Sequence, residues 1–354
     1  MKRRDRQGIK RCIRKGSICL LLCSFLLSAC GQTQEIQTEV KASSAEKSDA
    51  PVIGFIFDSF VIERWEKDRD IFTSTAKELG AEVVVSNANG DAKEQAALLE
   101  RMIEDKIDVI AIVPIDSTTL VEPIARAQRA GIKIISYDRI INNAGTDLYI
   151  SFDNEMVGQY MADCLNEKLP NGGKYLYITG PDTDNNVQMV QDGFDREIQV
   201  HFQLLDRYGC SNWNDEEAYT YLTEHADLLR QADAVVCGND SIAGQAVRVL
   251  AENRLAGSVI VTGQDADLEA CQRIAEGTQT MTAYKPIEQL ARQAAIEAVR
   301  MAKGEEREGA IRTFNDGSES VPYIAFPPEM VKQDNLKDTV IADGFYMEDD
   351  IFNR

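Results

Sequence analysis

A chain of 354 residues with 38 Lys and Arg against 58 Asp and Glu carries a formal charge of −20, with 44% hydrophobic and 27% charged residues. Those proportions suit one large or two ordinary globular domains and exclude collagen-like, fully disordered and multispanning membrane classes. The acidic balance excludes broad binding to nucleic acid, which needs a basic surface, and two histidines, His201 and His225, are too few for a His-rich metal centre.

In chain order, residues 1–17 hold eight bases and one acid, and Ile18–Ala29 is a twelve-residue run without charge. A membrane span takes about 20 residues, so the run has the proportions of a signal-peptide core behind a basic leader. It ends Leu27-Ser28-Ala29-Cys30-Gly31, which resembles the lipobox of bacterial lipoproteins and implies a signal peptide over 1–30 with Cys30 as the lipidated residue. A plain secretory cleavage site beside an incidental cysteine is the alternative. Cleavage removes eight of the 38 bases and one of the 58 acids, leaving 30 against 57 and a charge of −27 on the exported body. Residues 31–50 lack aromatics and apolar periodicity and read as a flexible tether. Of the eight cysteines, Cys164, Cys210, Cys237 and Cys271 remain in the body, with no CxxC pair and no zinc-site spacing. Buried free thiols are the expectation.

From Pro51 onward, β-rich runs at 52–57, 82–86, 108–113, 132–137, 174–179, 233–237 and 258–263 alternate with stretches of helical apolar spacing at 64–79, 91–105, 117–130, 185–199, 214–231 and 240–254. Alternation of this kind predicts an α/β chain with parallel sheets covered by helices on both faces. The near-continuous Val/Ile runs fit strands buried on both sides. About four βα units up to residue 137 and four more from 174 to 263 predict two doubly wound lobes facing each other. Gly80, Gly131 and Gly257 stand where helix C-caps are expected.

Ligands of such sheets bind beyond the carboxyl ends of the strands, so the residues that follow each strand are the informative ones. They are Asp58 and Arg64-Trp65, Asp138-Arg139, Asp184-Asn185-Asn186, Asn239-Asp240, Gln264-Asp265 and Lys285, with Trp213 nearby in YGCSNWND. Carboxylates accept from hydroxyls, Arg and Lys donate, amides do both, and an aromatic ring covers a C–H face, so this mixture suits a neutral polyol. Any one Asp or Asn here could be a helix cap, and Trp65 at helical spacing reads as core. Caps do not explain Arg64, Arg139 and Lys285 at the same edge. No GxxxxGK(S/T) loop, helix-opening GxGxxG or GxSxG elbow is present. No enzyme, metal or cofactor is expected.

The strings ERWEKDRDIF (63–72), SYDRIIN (136–142), YISFDNE (149–155), DNN (184–186), GQDADL (263–268), GTQTMTAYKPI (277–287) and LKDTVIADGF (336–345) are similar to those of the type I periplasmic sugar-binding proteins of ABC transporters, over nearly all of 51–350. The resemblance implies two lobes joined by a three-stranded hinge, with crossovers near Asp153, Lys285 and Asn315. The first lobe then comprises 51–153 plus 286–314, and the second 154–285 plus 315–350. It implies that Arg64, Asp138 and Arg139 bind a monosaccharide from the first lobe, and Asn185, Asn186, Trp213, Asn239, Asp265 and Lys285 from the second lobe and hinge. The implied ligand is a neutral aldopentose, D-xylose first. The implied partners are membrane permease subunits of an ABC importer, or alternatively a sensor kinase or chemoreceptor, with the chain itself a monomer and no nucleic acid bound. The stretch 201–212 departs from the pattern, keeping Trp213 with no second Trp beside it.

Overall fold

The computed structural model describes residues 50–307 and 311–352. Cys30 and the tether up to residue 49 lie outside the described residues.

Strand and helix alternate from the start: β1 (Val52–Phe57), α1 (Arg64–Glu78), β2 (Glu82–Asn87), α2 (Ala92–Glu104), β3 (Val109–Ile112), α3 (Val121–Arg129), β4 (Lys133–Tyr137) and β5 (Leu148–Phe152). A second series follows: α4 (Asn154–Lys168), β6 (Lys174–Thr179), α5 (Asn185–Glu197), β7 (Gln203–Gly209), α6 (Asp215–Glu224), α7 (Ala226–Leu229), β8 (Ala234–Cys237), α8 (Asp240–Glu252), β9 (Ile260–Gln264), α9 (Leu268–Glu276) and β10 (Met281–Tyr284). The chain closes with α10 (Ile287–Ala302), β11 (Arg312–Asn315), β12 (Ser320–Phe326), β13 (Glu329–Val331) and α11 (Glu348–Phe352).

Two sheets result, ordered β11-β12-β5-β4-β3-β1-β2 and β13-β10-β9-β8-β6-β7. Pairing is parallel except for β11 against β12 and β13 against β10. The α/β architecture of two doubly wound lobes is as the alternation predicts. The strands read as continuous apolar runs because each sheet is covered twice. In β1, Ile53, Phe55 and Phe57 join the core under α1 and α10, whereas Ile56 faces the other way with Ile110, Ile112 and Ile134. The second sheet is likewise split between a cluster holding Ile178, Val235 and Cys237 and another holding Tyr177, Val236 and Phe194. All four body cysteines are free and buried.

The chain passes between lobes three times. It leaves the first sheet at Asp153, which caps α4 by accepting from Met156 N at 3.2 Å. It returns between β10 and α10, at Lys285 and Pro286. The third passage differs from the expectation near Asn315. Asn315-Asp316-Gly317 is a hairpin turn between β11 and β12, and Asp316 anchors it by accepting from the backbone N–H of Gly145 (2.7 Å), Ser318 (2.8 Å) and Glu319 (2.7 Å). Asp-Gly between two short strands is a hairpin signal. β12 then pairs in parallel with β5, Tyr323 opposite Tyr149, their rings stacked at 4.7 Å. Residues 315–326 therefore belong to the first sheet, and the crossing falls at Pro327-Pro328, where two missing N–H groups end the ladder.

Helices α4 and α5 lie backbone to backbone. A Cβ on Gly158 would come within 1.8 Å of Val190 O, and one on Gly193 within 1.9 Å of Glu155 O. Only glycine allows that approach. We expect Gly193→Ala to lower stability by about 1–3 kcal/mol or more, since backbone cannot move aside as a side chain would. Urea unfolding of the variant beside the parent measures it, and an unchanged midpoint would refute the contact.

Candidate functional site

The carboxyl ends of both sheets converge on a narrow chamber lined by Ile62, Arg64, Trp65, Asp138, Arg139, Asp184, Asn186, Trp213, Gln264, Asp265 and Lys285. Apart from Ile62, none of these is more than 7% exposed. Charged groups so deeply buried need partners, and each has them.

Arg64 opens α1 and grips Asp68 one turn along with two bonds, Nε to Oδ2 at 3.1 Å and Nη2 to Oδ1 at 2.9 Å. Tyr137 donates its hydroxyl to the same Asp68. The remaining nitrogen, Nη1, stands 2.9 Å from Asp138 Oδ2 and 4.0 Å from Asp265 Oδ1. Arg139 is held by Asp58 Oδ2 at 2.6 Å, by the carbonyl of Pro114 at 3.2 Å and, from the other lobe, by Asp184 Oδ2 at 2.6 Å. Lys285 at the hinge lies 3.2 Å from Asp265 Oδ1. Trp65 sits between two guanidinium groups, with Arg64 at 4.5 Å and Arg139 at 5.6 Å from its ring centre.

The backbone is shaped for these contacts. Asp138 (φ 62°) and Asp265 (φ 96°) both occupy the left-handed region that non-glycine residues rarely adopt, which is strain held by the surrounding hydrogen bonds. Asp138 N donates to Ile150 O at 2.8 Å and Asp265 N to Ala283 O at 2.9 Å. Trp213 donates its indole N–H to Asp184 Oδ2 at 3.1 Å, and its ring lies where a Cβ on Gly180 would come within 2.5 Å.

Burial disfavours the ionised form of Asp138, yet Arg64, Lys285 and Arg139 outweigh it and hold that carboxyl below the ordinary carboxylate range. Burial dominates at Asp68 and pushes its carboxyl up despite Arg64. The same surroundings leave several atoms unanswered. Among the described residues, Trp65 Nε1, Asp138 Oδ2, Asn186 Oδ1, Gln264 Oε1 and Asp265 Oδ1 are buried on this chamber without a hydrogen bond. Asp138 Oδ2 and Asp265 Oδ1 are nonetheless ion-paired, with Arg64 Nη1 at 2.9 Å and Lys285 Nζ at 3.2 Å. Two acceptors and one donor without any partner, together with two ion-paired carboxylate oxygens, thus belong to residues that line one space. A guest that donates several hydrogen bonds satisfies them, whereas a phosphate or carboxylate, which only accepts, does not.

Seven of the nine residues singled out from the sequence line the chamber: Arg64, Asp138, Arg139, Asn186, Trp213, Asp265 and Lys285. Two do not. Asn239 caps α8, accepting from Ile242 N at 3.0 Å, and borders a neighbouring groove with Glu63, Asp240 and Asp267. Asn185 is half-buried beside the chamber and accepts from Asn142 Nδ2 at 3.5 Å. Trp65, Asp184 and Gln264 stand among the strand-end residues in the sequence but are not assigned to the ligand there, and all three line the chamber. Trp65 is core, as its spacing predicts, and it also lies near the guanidinium groups of Arg64 and Arg139. Asp184 follows β6 and Gln264 ends β9, in the strings DNN and GQDADL. Among the described residues no group of three or more His, Cys, Asp or Glu is placed to hold a metal ion.

A family described as periplasmic binding protein domain matches residues 53–306. The chain belongs to that family. Two curated D-xylose-binding periplasmic proteins are 40% identical to it. The one from Escherichia coli strain K12 aligns over 93% of this chain and 99% of its own length. The other, from Haemophilus influenzae, aligns over 89% and 96%. A carbohydrate transporter solute-binding protein from Chloroflexus aurantiacus, solved in complex with D-glucose, superposes with a TM-score of 0.77 at 26% identity, covering 85% of this chain and 98% of that one. These periplasmic binding proteins are ligand carriers rather than enzymes, and the two-lobed fold is shared throughout.

Arg64→Ala should destabilise the protein by about 3–5 kcal/mol at pH 7, because it strands two buried carboxylates. The deficit should shrink as pH falls. Asp68, whose carboxyl is raised, takes a proton first, and Asp138 follows; protonation removes the stranded charges. In the parent the sign is opposite for Asp138, since its depressed folded value means its contribution is present above the unfolded carboxylate range and lost only below it. Urea unfolding of both proteins at pH 7 and pH 4.5 reads the deficit, which should be smaller at pH 4.5, a window in which Asp138 of the parent contributes no change.

Proposed function

We propose that this chain is an extracytoplasmic sugar receptor, anchored by a lipid on Cys30, that clasps a neutral aldopentose, D-xylose first, between its lobes and presents it to the membrane permease subunits of an ABC importer. The observation that carries the reading is a chamber whose liners leave two acceptors and one donor, Asn186 Oδ1, Gln264 Oε1 and Trp65 Nε1, without a partner beside three cations. Hydroxyl groups donate to the acceptors and accept from the cations, and an uncharged ligand leaves the existing ion pairs balanced. The 40% identity to two D-xylose-binding proteins favours the pentose.

In this reading Arg64, Asp138 and Arg139 engage the sugar from the first lobe. Asn186, Trp213, Asp265 and Lys285 engage it from the second lobe and hinge. The energetics are ordinary. Micromolar affinity corresponds to about −8 kcal/mol, or about −0.8 kcal/mol for each of roughly ten heavy atoms, below the ceiling of about −1.5 for very small ligands. Because every charged liner is buried, sugar enters only when the lobes part, and closure is a hinge motion about the three crossings.

A thermal-shift panel over pentoses, hexoses and sugar acids tests the ligand class. D-xylose should give the largest shift and D-xylonate none; a larger shift with the acid would overturn the neutral-ligand reading. Asp265→Ala should weaken D-xylose binding at least tenfold by calorimetry while the protein stays folded, and an unchanged constant would remove Asp265 from the site. Cys30→Ser should move the protein from the detergent phase to the aqueous phase in a detergent-partition assay of expressing cells. Retention in the detergent phase would dismiss the lipid anchor.

A further inference from the structure

We infer that Asp184 is a positioning residue that draws the two lobes together whether or not a sugar is present. Both of its carboxylate oxygens are engaged by protein groups, one of them on the opposite lobe. Oδ2 takes Arg139 Nε at 2.6 Å and Trp213 Nε1 at 3.1 Å, and Oδ1 takes the Asn186 N–H at 2.9 Å. Asp184 does not feature among the buried atoms left unanswered on the chamber.

The residues around it form a seam. Residues 183–186 come from the second lobe and face two loops of the first, those after β3 and β4. Ser117 N donates to Thr183 O at 3.0 Å, and Thr183 Oγ1 to Ile115 O at 3.4 Å. Asn142 Nδ2 donates to Asn185 Oδ1 at 3.5 Å. Asn186 Nδ2 donates to Asp138, at 3.2 Å to its carbonyl and 3.0 Å to Oδ1. Each of four consecutive residues thus bonds across the gap. Among these contacts of residues 183–186, Arg139–Asp184 is the one that joins full charges, with side chains 4% and 1% exposed.

Each of these bonds joins groups on opposite lobes, so opening the lobes would part them. Parting the lobes breaks the Asp184 contact, while Arg139 keeps Asp58 and Pro114, both on its own side. Asp184 therefore biases the population of closed molecules. A residue that acts on population scales the apparent affinity of every ligand by the same factor, because each sees the same closed fraction. A residue that touches a particular hydroxyl does not.

Two measurements separate these roles. Small-angle X-ray scattering on the sugar-free protein should give a larger radius of gyration for Asp184→Asn than for the parent, and saturating D-xylose should bring both to one value. Asn keeps the acceptor for the Asn186 N–H, so the start of α5 is preserved. Asp58→Asn should leave the sugar-free curve as in the parent, since it spares the cross-lobe contact. If Asp184→Asn does not unfold cooperatively, Arg139→Lys carries the same measurement, keeping the charge beside Asp58 and losing the reach to Asp184. By calorimetry, Asp184→Asn should weaken D-xylose and D-ribose by the same factor, between about threefold and thirtyfold. Identical sugar-free curves for the parent and the latch variant, or equal expansion in Asp58→Asn, would overturn the inference. So would a loss confined to one of the two sugars. The scattering arm needs no sugar, so it stands even where the proposed ligand proves wrong, and failure of that proposal is seen separately in the thermal-shift panel.

Discussion

Burial of ions at the junction of the two sheets is the constraint on which the rest of this structure depends. Arg64, Arg139 and Lys285 meet Asp58, Asp68, Asp138, Asp184 and Asp265 in a space where none is more than 7% exposed. Desolvating each ion costs several kcal/mol, and the arrangement is tolerable only because each cation has at least one carboxylate within about 3 Å. The network is shared between lobes. Arg64, Arg139 and Asp138 ride on the first sheet, Asp184 and Asp265 on the second, and Lys285 on the strand that connects them. Most of the ion pairs lie within one lobe or at the hinge, and Arg139–Asp184, with the longer Arg64–Asp265 approach, ties the two halves of the network together.

The doubly wound sheets make this possible by pointing every strand's carboxyl end at the same gap. Two left-handed residues, Asp138 and Asp265, turn their carboxylates inward at the ends of β4 and β9. The antiparallel additions at each sheet's far edge, β11 and β13, stand apart from that gap and serve the return of the chain. Neutral hydrogen-bonding guests suit the result, since an anion would add to a cluster in which carboxylates already outnumber cations.

Much of this was legible beforehand. Val/Ile runs with helical spacers predict parallel sheets, and cations following strands predict a site at one edge, because both are consequences of local pattern. What resisted was of two kinds. The resemblance implies a lobe crossing near Asn315, whereas the chain forms a hairpin there, and the difference rests on β12 pairing with β5, a strand far away in the chain. Asn239 satisfies both a cap and a ligand position by type, and the geometry of α8 uses it as a cap. Asp184 illustrates the remainder. Its identity says only that it precedes a helix, and its meaning comes from Arg139, which belongs to the other lobe and is brought within 2.6 Å by folding alone.

The paired glycines Gly158 and Gly193 have a mechanical corollary. α4 begins directly after the first crossing at Asp153, and α5 begins at the residues that meet the opposite lobe. With the two helix backbones in van der Waals contact, there is no compressible layer of side chains between them, so they turn as one lever. Whatever displaces the start of α4 at Asp153 therefore carries the start of α5, with residues 184–186, along with it.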